Sequence, residues 1–486
     1  MMERSEEQKQ TIAPDYPEVS QQTLLLAKYL VETEYQDLPS HVIEGMKALT
    51  LDWLGSALAG KEFYPSDLFR QYAAMMGPAH GPSTIFNSKE ISSNELKEGS
   101  SPYFAALVNG ACGHLLEQDD LHNSSVFHPA TVVFPALLAA SEDLNASGEA
   151  FLLAATMGYE AGIRIGEFLG RSHYRVFHTT STVGSISAAI AVGKLMNFNL
   201  EEMLNLIGNA ATQSAGIWAF LEDAADSKQL HTAKANANGL LAAYLTKMGL
   251  KGAKNSLEGV QGLAAGMSEE SNPSALSDRL GVRWAAIETS FKYHASCRHT
   301  HPAGDALLQL LNDEGLSYHD IVKVEAFVHQ AAIDVLGAVI EPQSIHQAKF
   351  SMGSVLGLLA VHGRAGLFEF DQYSLTDRDV IAFRQKVSMV LDPEIDAAYP
   401  KEWRGKVEVE TKEGRRYQSM LRYPKGDPEN PLTQLELEEK FQRLLHFSGD
   451  QHLLAQSEAL IAMIWKLETL ETMKSLTKLI DPCNDL

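Results

Sequence analysis

The sequence predicts a mostly helical protein: a large helical-bundle domain with a smaller α+β domain inserted into it. Three observations carry this. From about residue 21 to 285, apolar residues recur at spacings of three and four, with Gly or Pro between segments. Beyond residue 286 two segments alternate apolar and polar residues instead, as half-buried strands do. After a Pro- and Gly-rich connector, YPKGDPENP at 423–431, the helical spacing returns and runs towards the end of the chain.

Each part follows in order. Residues 1–20 are polar and acidic with no apolar core, which predicts a disordered tail and no signal peptide. Residues 21–285 hold the first part of the helical domain, with QQTLLLAKYLVETEYQ, SHVIEGMKALTLDWLGSALAG, GEAFLLAATMGYEAGIRIGEFLG, STVGSISAAIAVGKLMNF and NANGLLAAYLTKMG as its clearest helices. They are rich in Ala, Gly and Ser, which lets helices approach closely and predicts tight packing. Residues 286–424 form the α+β domain: IVKVEAFVHQAA (321–332) reads as a strand, and KVEVETKEGRRYQSML (406–421) as a hairpin turning at Glu413-Gly414. Helical stretches such as HPAGDALLQLLNDEG and SMGSVLGLLAVHG lie between them. Residues 425–486 return to the helical domain.

Composition narrows the function. A chain of 486 residues that is 45% hydrophobic and 21% charged reads as a globular protein with a large core. Its net charge of −22 argues against nucleic acid or an anionic membrane as partner. An anionic substrate would therefore need cations gathered locally. Three scattered cysteines (Cys112, Cys297, Cys483) give no disulfide framework and suggest a reducing compartment, so a cytoplasmic location is expected. No apolar run is long enough for a transmembrane helix. GxGxxG, GxSxG, HExxH and zinc-finger spacings are missing, and no metal is expected.

Four segments carry chemistry. NGACGHLLEQDDLHNSSVFHP (109–129) places Glu117, Asp119, Asp120, His114, His122 and His128 after a small, apolar helix and contains no Lys or Arg. Burial there can shift pKa values as acid–base catalysis requires; a metal site or a capped helix end is the alternative. In RSHYRVFHTTSTVGS, His178 precedes Thr179, Thr180 and Ser181, which can cap the following helix and leave N–H groups for an anion. DSKQLHTAKANANG sets Lys228, His231 and Lys234 within two turns, a carboxylate clamp or a solvated face. FKYHASCRHTHPAGDA (291–306) contains Lys292, His294, Arg298, His299, His301 and Asp305, the densest cationic cluster, where the two domains meet. Carboxylates and imidazoles in one segment with cations in two others suit proton abstraction beside a carboxylate.

These pieces, with LDWLGSALAG (51–60) and VVFPALLAA, lie in the order of the MmgE/PrpD family, which the chain resembles over nearly its whole length after residue 20. That family includes 2-methylcitrate dehydratase, cis-aconitate decarboxylase and iminodisuccinate epimerase. The resemblance implies a homodimer, an α+β lid over the helical domain, a site between the two, and no metal or organic cofactor. It implies acid–base or catalytic roles for His128, His178, Asp119, Asp120, Lys228 and Lys292. Arg298, His231, His301 and Glu117 are expected to bind substrate. Cis-aconitate decarboxylases carry Asp, Thr, His and Tyr where this chain has Glu117, Leu121, Cys297 and Ser354. The expected activity is accordingly a lyase of the 2-methylcitrate dehydratase type acting on a small di- or tricarboxylate, with the epimerase, the decarboxylase and a non-catalytic carboxylate binder as alternatives.

Overall fold

Small residues set the spacing of the helices at the centre of the molecule. A computed structural model describes residues 19–88, 99–222 and 225–481. Helix Gly184–Leu195 packs against Ala130–Asp143, Gly148–Tyr174 and Ser227–Lys247. A Cβ on Gly158 would come within 2.8 Å of Ala191 Cβ, and one on Gly239 within 2.5 Å of Ala188 Cβ, so these helices meet only because those positions carry no side chain. Helix Gly148–Tyr174 breaks at Gly170, whose φ of +72° is open to glycine. The protein is mostly helical, as expected, with two small sheets among the described residues.

A first apolar core gathers these helices with Ser40–Gly60 and the returning segments Gln434–Ser448 and Gln451–Ile464. A second core lies under the larger sheet and takes in Leu310, Val324, Val355, Leu359 and Phe383. The two-stranded sheet pairs β1 (Leu121–His122) with β2 (Thr289–Ser290), antiparallel, with Leu121 opposite Ser290. This pairing fixes the 117–128 segment against the 289–294 segment. The four-stranded sheet has the order β4 (Val387–Leu391), β3 (Ile321–Val328), β5 (Gly405–Thr411), β6 (Arg416–Leu421). β3 and β4 are parallel; the other neighbours are antiparallel. The hairpin turns through Gly414, at φ +76°, as its sequence predicts. β4 was not evident in the sequence: it is a short edge strand, VSMVL, without the alternating burial of β5. β3 alternates imperfectly because its register shifts between Ile321 and Lys323, leaving Val322 and Lys323 both outward.

Residues 1–18 of the expected tail, and Cys483, lie outside the described residues. Val19 is buried, and the Ser20 backbone N–H donates to Asn255 Oδ1 at 2.7 Å. Among the described residues no helix is long and apolar enough to cross a membrane. Helix Gln434–Ser448 lies along Ser40–Gly60, and its Lys440 Nζ donates to Asp52 Oδ1 (2.6 Å) and to the Gln118 carbonyl (2.7 Å). The last part of the chain thus braces the loop that carries Glu117 and Asp119.

Candidate active site

The loop after helix Pro102–Gly113 turns sharply because two of its non-glycine residues take left-handed backbone: Glu117 at φ +58° and Val126 at φ +47°. For β-branched Val126 this conformation is strained, and strain of this kind persists where surrounding packing over-determines it. Both residues line a buried cavity of about 30 Å³. The wall is drawn from distant parts of the chain: His128, His178, Trp218 and Lys228 from its first half, and Lys292, Cys297, Arg298, His299, Phe350 and Trp403 from its second.

Six of the ten expected residues line this cavity: Glu117, His128, His178, Lys228, Lys292 and Arg298. The other four stand behind them. Asp119 Oδ2 accepts from His114 Nδ1 at 2.5 Å and lies 3.2 Å from His128 Nδ1. Asp120 accepts from the Tyr159 hydroxyl (2.9 Å) and from the Ala130 N–H (3.1 Å), where helix Ala130–Asp143 begins. His231 Nδ1 is 3.1 Å from His178 Nδ1. His301 Nδ1 faces Arg298 Nη1 at 3.2 Å. Lys234 is exposed.

The charges are arranged in pairs. Glu117 accepts from Lys228 Nζ on one oxygen and from Lys292 Nζ, at 2.8 Å, on the other. Burial alone would raise its carboxyl, but the two ammonium groups outweigh this and hold it well below the usual carboxylate range. Burial likewise opposes the charge on Lys292, yet Glu117 and Asp119 hold that ammonium above its ordinary value. Asp119 is kept well below the usual range against burial, by His114, His128 and Lys292. Its neighbour Asp120 goes the other way: burial and the charge of Asp119 push it well above, so two adjacent aspartates are shifted in opposite directions. Arg298 ion-pairs with Asp427 of the connector, whose carboxylate also accepts from Ser290 Oγ at 2.6 Å and Asn123 Nδ2 at 3.0 Å.

Burial lowers the imidazoles. His128 and His178 both lie below their ordinary value, His178 well below, and both are neutral at pH 7. His128 Nδ1 donates to the Asp120 carbonyl, which leaves Nε2 on the cavity side with its lone pair. His178 Nε2 is buried and has no partner among the described residues. His178 packs on Trp218 with ring centroids 4.6 Å apart. The Cys297 thiol is pushed up to about 11 by burial and by Glu117, so it stays protonated.

One expectation from the sequence is corrected. Thr179–Thr182 do not cap the following helix; they form a short helical turn of their own, and their hydroxyls bond elsewhere. Thr180 Oγ1 accepts from the His128 N–H at 3.2 Å, and Thr182 Oγ1 lies 2.9 Å from His173 Nε2. Their work is to hold His128 and the helix before it. As to metals, His114, Asp119 and His128 bring ligand atoms close together, as do His122, Glu167 and Glu288. In the first group both Nδ1 atoms aim at one oxygen of Asp119, the geometry of two N–H donors sharing an acceptor. In the second, Arg283 already bridges Glu167 and Glu288.

Family models for the MmgE/PrpD N-terminal domain and the MmgE/PrpD C-terminal domain match residues 25–276 and 294–467. The chain belongs to the MmgE/PrpD family. Among its relatives is a cis-aconitate decarboxylase-like protein, oryM, of Aspergillus oryzae, 26% identical over 94% of this chain and 97% of the relative. The cis-aconitate decarboxylase of Aspergillus terreus is 25% identical over 90% and 92% of the two chains. The human cis-aconitate decarboxylase is 25% identical over 91% of each. Of the four positions at which the sequence is expected to depart from cis-aconitate decarboxylases, Glu117, Leu121 and Cys297 line the cavity, while Ser354 is buried in helix Met352–His362.

The sequence reading missed the aromatic part of the wall. Tyr174, Trp218 and Trp403 come from three distant segments, and a single aromatic residue reads as core. Tyr174 alone left a signal, standing four residues before His178 in the segment that the sequence singles out.

Proposed function

We propose that this chain is a cofactor-independent lyase that removes a proton beside a carboxylate of a small di- or tricarboxylate, dehydrating a 2-methylcitrate-type hydroxy acid. The observation that carries this reading is the pairing of two neutral imidazoles with two buried ammonium groups around one cavity. Lys228 and Lys292 release part of their hold on Glu117 to a substrate carboxylate and stabilise the negative charge that develops beside it. His128 Nε2, oriented through Nδ1, takes the C–H proton. The C–H electron pair becomes the new C=C bond, and the β-hydroxyl, held by the His178 Nε2–H, leaves as water with the proton that His128 took, so both imidazoles end neutral. His231 Nδ1 donates to His178 Nδ1 in this scheme and so fixes the proton on Nε2; a neutral imidazole acting as electrophile has precedent in triosephosphate isomerase. Asp119, behind His128, positions the base and steadies the imidazolium that forms.

A cavity of about 30 Å³ holds about two waters, so substrate enters only when its walls part. A second cavity of about 640 Å³ adjoins it and shares Val126, Tyr174, Trp218 and Val335. This supports the segments around Val335 and Trp403 as part of a lid. A homodimer also belongs to this reading: Leu68, Tyr72 and Met75 of helix Ser66–Met76 and Leu241, Leu245 and Met248 along helix Ser227–Lys247 are exposed apolar residues on helices that both flank Pro102–Gly113.

Decarboxylation is the second reading, favoured by the names of the relatives. Leu121 and Cys297 weigh against it, since they leave an apolar side chain and a protonated thiol in the wall.

Proton NMR in D₂O with 2-methylcitrate, citrate, cis-aconitate and iminodisuccinate separates these outcomes. Formation or hydration of an alkene without loss of carbon supports dehydration. Loss of carbon dioxide from cis-aconitate establishes the decarboxylase, and deuterium exchange without a new product an epimerase. Ligand-induced stabilisation without turnover would reduce the chain to a carboxylate binder.

A further inference from the structure

A separate cavity of about 410 Å³, lined by Leu115 and Leu116 just before Glu117, lies at the edge of the second core. Phe63, Leu115, Ile345, Leu367 and Phe447 make the apolar part of its wall, with Gln229, Ser344 and His346 beside them. Phe63 and Phe447 stack with centroids 5.1 Å apart. One cation breaks this surface: Lys349, at the end of helix Ile345–Lys349 and only 6% exposed.

Lys349 differs from the other buried lysines near the site. Lys228, Lys292 and Lys440 each have a carboxylate partner. Lys349 Nζ donates to one group, the Leu116 carbonyl at 3.0 Å, and among the described residues it has no ion pair. Burial and the charges of Lys292 and Lys228 lower it to about 8, against the opposing pull of Glu117. A buried ammonium without a counter-ion is costly, and a cavity beside it gives an anion room to supply one. The cavity volume falls in the range of small-molecule pockets.

We propose that this cavity is a second ligand site, distinct from the candidate active site, which binds a monocarboxylate with an apolar body, its carboxylate on Lys349 and its body against Phe63, Ile345 and Leu367. Two features set the ligand class. One ammonium matches one carboxylate, and the exposed Asp226 and Asp371 at the rim repel di- and trianions. The apolar walls require a hydrocarbon body of several carbons. Lys349 also connects the site to the catalytic loops: its carbonyl accepts from the Cys297 N–H at 2.9 Å, and its side chain holds the carbonyl just before Glu117. The inference does not rest on the reaction proposed above.

Isothermal titration calorimetry of the full chain with sodium hexanoate tests it, with 1-hexanol as the uncharged control. Hexanoate is expected to bind with a Kd of about 1 mM or tighter, and hexanol to bind at least ~10-fold more weakly. Lys349→Met and Ile345→Trp, one removing the charge and the other filling the cavity with Lys349 intact, should each weaken hexanoate binding at least ~10-fold. Lys292→Met, which removes a charge opposing that of Lys349, should not weaken it. Absence of hexanoate binding, unaltered affinity in both cavity variants, or loss of binding in Lys292→Met would each overturn the proposal.

Discussion

Lys292 Nζ donates to Glu117 Oε2 at 2.8 Å while Lys228 holds the other oxygen, so one internal carboxylate bridges the two ammonium groups that face the cavity. Both lysines are buried, and the substrate carboxylate must share a clamp that is already occupied. Part of the net positive potential expected of an anion-binding site is therefore cancelled before substrate arrives.

Lys292→Met follows directly. Removing one partner of a buried pair costs about 3–5 kcal/mol, here at the lower end because Lys228 still neutralises Glu117. A domain with about 5–15 kcal/mol of stability stays folded. Turnover should fall by about 10²–10³-fold, the scale for losing one stabilising donor to developing negative charge. Circular dichroism and single-turnover kinetics check both parts, and an unchanged rate removes Lys292 from the site.

The adjacent aspartates should respond in opposite ways. Asp119 is ionised and accepts from His114, with His128 3.2 Å away. Asp119→Asn replaces an acceptor by a donor, misorients His128, and should lower kcat by about 10²–10⁴-fold, as tautomer-disrupting changes do in hydrolytic triads. Burial and the charge of Asp119 push the Asp120 carboxyl well above the usual range. Asp120→Asn keeps its shape without removing a charge, so its effect on kcat should stay below about 10-fold. Equal losses in the two variants would show that the opposite shifts do not separate the roles of the two carboxyls.

Much of this site was legible in the sequence, and the illegible part has physical reasons. The 117–128 block stands out because titratable residues crowd a segment without lysine or arginine, and 292–301 because cations crowd an acidic chain. Pairing is another matter. Glu117 is expected from its sequence to bind substrate, but it neutralises two lysines brought from 111 and 175 residues away. Asp427 looked like part of a connector, yet it is buried against Arg298 because the chain must cross the β1–β2 pair there. The turn of the hairpin was visible in Glu413-Gly414, whereas β4 was not, since an edge strand needs no alternation.

Stability should fall in mild acid, and the sign follows from burial. His173 and His231 are lowered from their ordinary value to about 4, and His329 to about 3, burial being the first cause in each. The unfolded chain binds protons on these groups near pH 6.5 while the native protein does not. Their contribution is therefore complete above pH 6.5 and is lost as pH falls towards 4. Each adds a slope of about 1.4 kcal/mol per pH unit in that window. His173 offers a clean check: its two nitrogens serve only Met267 O (3.0 Å) and Thr182 Oγ1 (2.9 Å) among the described residues. Urea unfolding of His173→Gln at several pH values should show a shallower slope between pH 6.5 and 4 than the parent protein.

Asp427→Asn tests how Arg298 is aimed. The Arg298 guanidinium is buried against Asp427 and His301, and its Nε has no partner among the described residues. Its planar fork lets one edge hold Asp427 while the other faces the cavity. Without the carboxylate charge the fork loses its fixed orientation but keeps its own charge, now uncompensated. If Arg298 orients substrate, KM should rise by about 10-fold or more, one bidentate contact being worth about 1.4 kcal/mol or above, while kcat falls less. If Arg298 serves only to tie the connector to the β1–β2 pair, Asp427→Asn lowers the unfolding midpoint and leaves KM in place. Steady-state kinetics beside thermal unfolding of the same variant distinguish the two.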